Sequence, residues 1–135
     1  MEIQIGIGVV IIIWLVLFVL ALKVYFSSQK KLSWEKIKFF LKRLEKISKE
    51  NSYKSQILDF DVLYHKILLE LWYKWNFWEI LKQSPLVIDD LDEVWKLHKL
   101  RNKLAHDFDI LEESVLKRKS QDFQKAIQKL LKKVS

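Results

Sequence analysis

The sequence predicts an all-α protein, an N-terminal transmembrane helix followed by a small helical bundle, and three observations carry that expectation. The first is an uncharged apolar run at the start, Ile3 to Leu22. The second is the near absence of turn-formers afterwards: residues 27–135 hold no glycine and one proline, Pro85, which suits helices joined by short turns and argues against a sandwich of many short strands. The third is apolar residues recurring three and four apart through most of the remaining chain.

At 135 residues there is room for one ordinary domain. With the apolar run set aside, roughly a hundred residues remain to build a core, enough for four or five packed helices. The chain has no cysteine, so disulfides, thiol catalysis, cysteine zinc sites and iron–sulfur clusters are excluded. The formal net charge of +7 is unevenly spread. Lys23 to Glu50 carries nine basic residues against three acidic ones, whereas Asn51 to Ile110 carries eight against ten. Positive charge is thus gathered beside the apolar run and again in the last helix.

From Ile3 to Leu22 about twenty uncharged residues, at ~1.5 Å rise each, match a hydrocarbon core of ~30 Å. Only Met1 and Glu2 precede the run, with no basic n-region and no small-x-small site after it, so a permanent anchor is expected rather than a cleaved signal. Lys23, Lys30, Lys31, Lys36 and Lys38 all follow it and no basic residue precedes it. The positive-inside rule then puts the N-terminus outside and everything after the anchor in the cytoplasm, as a single-pass protein of the cytoplasmic membrane. Tyr25 and Trp34 suit the headgroup level. Gly6 and Gly8 do not form GxxxG, so the anchor carries no clear dimerisation signal.

The expected organisation is an anchor over 1–26, a basic juxtamembrane linker helix within 27–55 and a helical domain over 56–135. Ser33 is placed to cap the linker helix, with Glu35 in its first turn and Trp34, Ile37, Leu41, Leu44 and Ile47 on one stripe. Its lysines would either rest on anionic lipid or stay solvated while the helix packs on the domain. A second helix is expected from about Gln56 to Trp75, with Ile57, Phe60, Tyr64, Ile67, Leu68, Leu71 and Trp75 on its buried arc. Asp61 falls inside that arc, and a carboxylate there needs a partner. Trp72, Trp75, Phe77 and Trp78 are expected as core filler rather than a base-stacking platform, because they cluster at packing spacing without interleaved arginine.

Asp89 or Asp90 is expected to cap the next helix, with Asp92 and Glu93 facing the positive end of its dipole. That helix, about Leu91 to Ala105, puts Leu91, Val94, Trp95, His98, Arg101, Asn102 and Ala105 on one broad arc. Lys96, Lys99 and Lys103 share another. After a turn at Asp107 to Asp109, a last helix to about Val134 should turn Leu116, Phe123, Ile127, Leu130 and Val134 inward and its seven basic residues mostly outward.

Residues 101–106 read R-N-K-L-A-H, and here the chain resembles the HEPN superfamily of small helical domains, whose signature is Arg, four to six residues, then His. The stretches LDEVWKLHKLRNKLAHDFD and ILDFDVLYHKILLEL resemble membrane-anchored bacterial proteins with a HEPN-like domain, over roughly Gln56 to Val134. The resemblance implies a HEPN-like bundle. In active members two such motifs meet at a dimer interface and cleave RNA without a metal; by that resemblance Arg101 and His106 would be the catalytic residues here, across a homodimer. Chemically, an arginine holds the scissile phosphate and a histidine near neutral pKa moves the 2′-hydroxyl proton. Asn102 would orient phosphate or ribose, and Lys96, Lys99 and Lys103 would follow the backbone.

The same residues admit a structural reading in which Arg101 pairs with Asp61 and fixes the bundle's register, leaving His106 as a helix-terminal residue that interacts with the dipole. No metal or other cofactor is expected: His98 and His106 are ~12 Å apart along a helix, too far to hold one ion. The partners expected are the lipid bilayer and a protein or RNA, with a metal-independent endoribonuclease as the alternative function.

Overall fold

The computed structural model describes residues 2–28, 31–106 and 111–135. Among them are six helices and no strand: α1 (Glu2–Ser28), α2 (Trp34–Ser48), α3 (Tyr53–Glu70), α4 (Phe77–Lys82), α5 (Leu91–His106) and α6 (Glu113–Val134). The chain divides into two compact units, Met1–Lys30 and Lys31–Ser135. The turn expected at Asp107 to Asp109 lies outside the described residues.

The first unit is α1. Its stretch Gly8–Tyr25 is long and apolar enough to cross a membrane, and none of it is buried by protein.

The second unit is a bundle around α3, which packs against α2, α5 and α6. Ile57, Phe60, Ile67, Leu68 and Leu71 of its chain are fully enclosed, each burial stabilising by about 1.5–3 kcal/mol over exposure. Phe123 of α6 lies against both Phe60 and Tyr64 at ring separations of 6.3 Å. The expected inward set of α6 is all buried, joined by Leu131 and Ser120. Ser120 belongs to a polar joint: its hydroxyl donates to Gln56 Oε1 at 2.5 Å, while Gln56 Nε2 donates to the carbonyls of Ser48 and Glu50. One α3 glutamine thereby ties α6 to the end of α2.

Short polar side chains explain where the helices begin. Ser33, Ser52, Asn76 and Asp90 each accept a backbone N–H three residues on, in α2, α3, α4 and α5 respectively. Such caps contribute about 1 kcal/mol apiece.

Three expectations need correction. α2 packs within the second unit, one of the placements the sequence left open, and its buried stripe is Ile37, Phe40, Leu44 and Ile47. That stripe takes Phe40 where the sequence suggested Leu41, and it leaves Trp34 exposed. In α5, Leu97 and Leu104 are buried while Ala105 is exposed, so the inward face is rotated from the arc first drawn.

The third correction concerns the end of α3, which stops at Glu70 rather than near Trp75. Tyr73 N–H bonds back to the Leu68 carbonyl and Trp72 N–H to that of Leu69, the paired bonds of a Schellman motif. Trp72 takes the left-handed position with φ 67°, where glycine is favoured and a side chain costs about 1–2 kcal/mol. Tyr73, the next residue, turns inward and is buried. Trp75 follows with φ 97°. Trp72 and Trp75 are 85% and 68% exposed, so neither fills the core. Of the aromatic cluster, Phe77 alone is buried.

Candidate functional site

α3 and α5 bring Asp61 against a single face of α5 formed by His98, Arg101 and Asn102. These three stand at i, i+3 and i+4, the spacing that stacks side chains on one side of a helix. Asp61 Oδ1 and His98 Nδ1 are 2.7 Å apart, and Arg101 Nε lies 3.5 Å from Asp61 Oδ2. Arg101 Nη1 donates to Asn102 Oδ1 at 3.0 Å, and Asn102 Nδ2 sits 3.3 Å from His98 Nε2.

The four side chains close a ring, and donor–acceptor logic orders it. A guanidinium only donates, so Asn102 must show Arg101 its oxygen and turn its NH₂ to His98. His98 Nε2 then accepts, which leaves the ring hydrogen on Nδ1 to donate to Asp61. Arg101 therefore sets the orientation of Asn102, and Asn102 sets the tautomer of His98. Asp61 and His98 are buried. Arg101 Nε is also buried and has no hydrogen-bond partner among the described residues, so the Asp61 carboxylate serves it as a counter-charge. The Arg101 side chain as a whole is 30% exposed.

An aromatic wall covers the ring. The Phe77 ring sits 4.6 Å from His98, and His65 stacks on Phe77 at 5.6 Å with the planes almost parallel. His65 Nε2 is 3.0 Å from the Trp75 carbonyl oxygen, so it donates there and holds the α3–α4 loop down. Trp78 meets Trp95 edge to face at 4.6 Å.

Asp61 and Arg101 thus come together, but the nearest partner of Asp61 is His98. Sequence reasoning put His98 on the inward arc and gave it no role. Its position one helical turn before Arg101 was the available signal. His106 is exposed at the end of α5, with no partner among the described residues. It lies five positions after Arg101, about 140° around the helix, so the two leave α5 on different faces. Lys96, Lys99 and Lys103 are exposed, and Lys99 Nζ lies 5.7 Å above the Trp95 ring.

Among the described residues no group of three or more His, Asp or Glu is placed to hold a metal ion. A cleft of about 190 Å³ is lined by Tyr64, Asp90, Glu93, Asp122 and Lys129 among others, and neither Arg101 nor His106 reaches it. Two of its carboxylates share a local cation, since Lys119 bridges Glu93 and Asp122. Burial, reinforced by Asp89, pushes the Tyr64 hydroxyl above its ordinary range, so that group stays neutral.

Comparison with protein-family models, curated proteins and solved structures finds no match to this chain.

Proposed function

We propose that the chain is a single-pass membrane protein whose cytoplasmic helical domain is an interaction module, holding a protein or RNA partner at the inner face of the membrane. One observation carries this reading: α1 presents an apolar, span-length surface that no part of the protein buries. Such a surface is unfavourable in water at about 25 cal/mol per Å² and is satisfied by lipid. The lysines that follow the apolar stretch support the domain's cytoplasmic location. The HEPN-like signature R-N-K-L-A-H belongs to the same reading. Arg101 and Asn102 act there as structural groups bound into the ring with Asp61 and His98, and the lysine face of α5 is left to meet the partner.

A metal-independent endoribonuclease is the second reading, favoured by one specific observation: the His106 imidazole is exposed and unengaged among the described residues, as a proton-transfer group in a homodimer would need to be. A single experiment separates the two. Full-length protein in mild detergent is incubated with RNA in EDTA. The interaction module leaves RNA intact at high protein concentration. Accumulation of 2′,3′-cyclic phosphate ends, lost in His106→Ala, would overturn it in favour of the nuclease.

A further inference from the structure

We infer that the α3–α4 loop is a second membrane contact, in which Trp72 and Trp75 enter the headgroup zone of the bilayer that α1 crosses. The inference rests on the reading of α1 as a membrane span and adds a lipid-binding surface on the folded domain itself.

Folding does not account for these two tryptophans. Both occupy backbone conformations that glycine adopts without strain, with φ 67° and 97°, and both hold their indoles in solvent. The same Schellman turn would close more easily with glycine at position 72, because the turn is made by backbone N–H groups and by the buried Tyr73. A large amphipathic ring held outward against local backbone preference contributes to binding rather than to packing. Tryptophan favours the membrane–water boundary, where one part of the ring is apolar and its N–H remains wet.

Topology places the loop at a suitable end of the bundle. α2 and α3 are antiparallel neighbours, and the ion pair of Lys36 with Glu70 ties the start of α2 to the last residue of α3, two positions before Trp72. The backbone bond from Leu32 N–H to the Val134 carbonyl brings the end of α6 to the same place. The chain therefore enters the bundle at this end, at Lys31, three positions after α1 closes at Ser28. Trp34 stands there too, 64% exposed, with Lys38 Nζ 5.2 Å over its ring.

Charge selects the occupant. Lys31, Lys36, Lys38, Lys74, Lys132 and Lys133 are exposed around this end, against Glu35, Glu70, Asp89 and Asp90; with Lys36 paired to Glu70 and Lys133 to Asp89, lysine remains in excess. Exposed tryptophans ringed by an excess of lysine match an anionic bilayer surface, where aromatic insertion and cation attraction act together.

The chain has no cysteine, so a single nitroxide reports depth cleanly. Full-length Lys74→Cys and Asn51→Cys, the latter at the turn joining the far ends of α2 and α3, are labelled in vesicles of phosphatidylcholine and phosphatidylglycerol. Collision with oxygen should dominate at position 74 and with an aqueous nickel chelate at position 51. Adding Trp72→Gly and Trp75→Gly should return position 74 to the aqueous pattern without lowering the melting temperature. Should the glycine pair unfold the domain, the asparagine pair, which also tolerates positive φ, replaces it. A label at 74 as wet as that at 51, in protein that still resists carbonate washing, overturns the loop contact alone. Burial that persists without the tryptophans overturns it as well. Protein that washes off the vesicles overturns the span and the loop together.

Discussion

Asp61→Ala is expected to lower the stability of the helical domain by on the order of 3–5 kcal/mol, the usual loss when one member of a buried ionic cluster is removed. For a domain of this size that is a fall of about 15 °C or more in melting temperature. The size follows from what is left behind. Without the carboxylate, His98 Nδ1–H loses its acceptor, and the buried Arg101 Nε loses its counter-charge 3.5 Å away. Arg101→Ala should cost less, since part of that side chain already reaches water and Asp61 keeps His98. The double variant should lose less than the sum, because the second change removes a charge that the first has orphaned. Thermal unfolding of the three variants in the same detergent measures the coupling; strictly additive losses would mean the ring does not act as a unit.

Val16→Arg with Val19→Arg is expected to have the other large effect, on location rather than folding. Both positions lie within the apolar stretch Gly8–Tyr25, and each arginine near a bilayer centre costs about 2.5–3.5 kcal/mol on insertion scales. Together they oppose insertion by about 5–7 kcal/mol, comparable to what the apolar residues of one such span contribute. The variant should move from the membrane to the soluble fraction while keeping the far-ultraviolet helical signal of Lys31–Ser135, whose core residues are its own. Membrane retention equal to that of the unaltered chain would argue that α1 is not what holds the protein there.

The parts of the fold legible in the sequence are those written in simple periodicity. α6 is the clearest case, since Leu116, Phe123, Ile127, Leu130 and Val134 repeat at helical spacing and all are buried. The all-helical class was equally readable from the lack of glycine after Gly8. That same lack hid the end of α3: a Schellman turn is normally signalled by glycine, and here Trp72 holds the position. Reading the helix on to Trp75 followed, and with it the expectation that the two tryptophans fill the core. Lysine dominates the composition of α2 and left its placement open, and four buried residues on one stripe join it to the bundle.

The site was legible by half. A carboxylate on the buried arc of α3 and an arginine on the inward side of α5 are both visible in the spacing, and they do approach each other. That His98 would be the nearer partner was signalled only by its place one turn before Arg101, because a histidine can join such a cluster through a neutral hydrogen bond and leaves no imprint on charge patterning. The angular offset of Arg101 and His106 was readable from helix geometry alone, and it leaves Arg101 facing the ring while His106 meets solvent.

The most direct measurement is alkaline carbonate extraction of membranes from cells making the full chain. The account predicts that the protein stays in the pellet through carbonate and high salt and leaves it only with detergent, as lipid around an apolar helix requires. Release by carbonate or salt alone would contradict the account, because α1 would then be held by protein or by surface charge rather than by the hydrocarbon core.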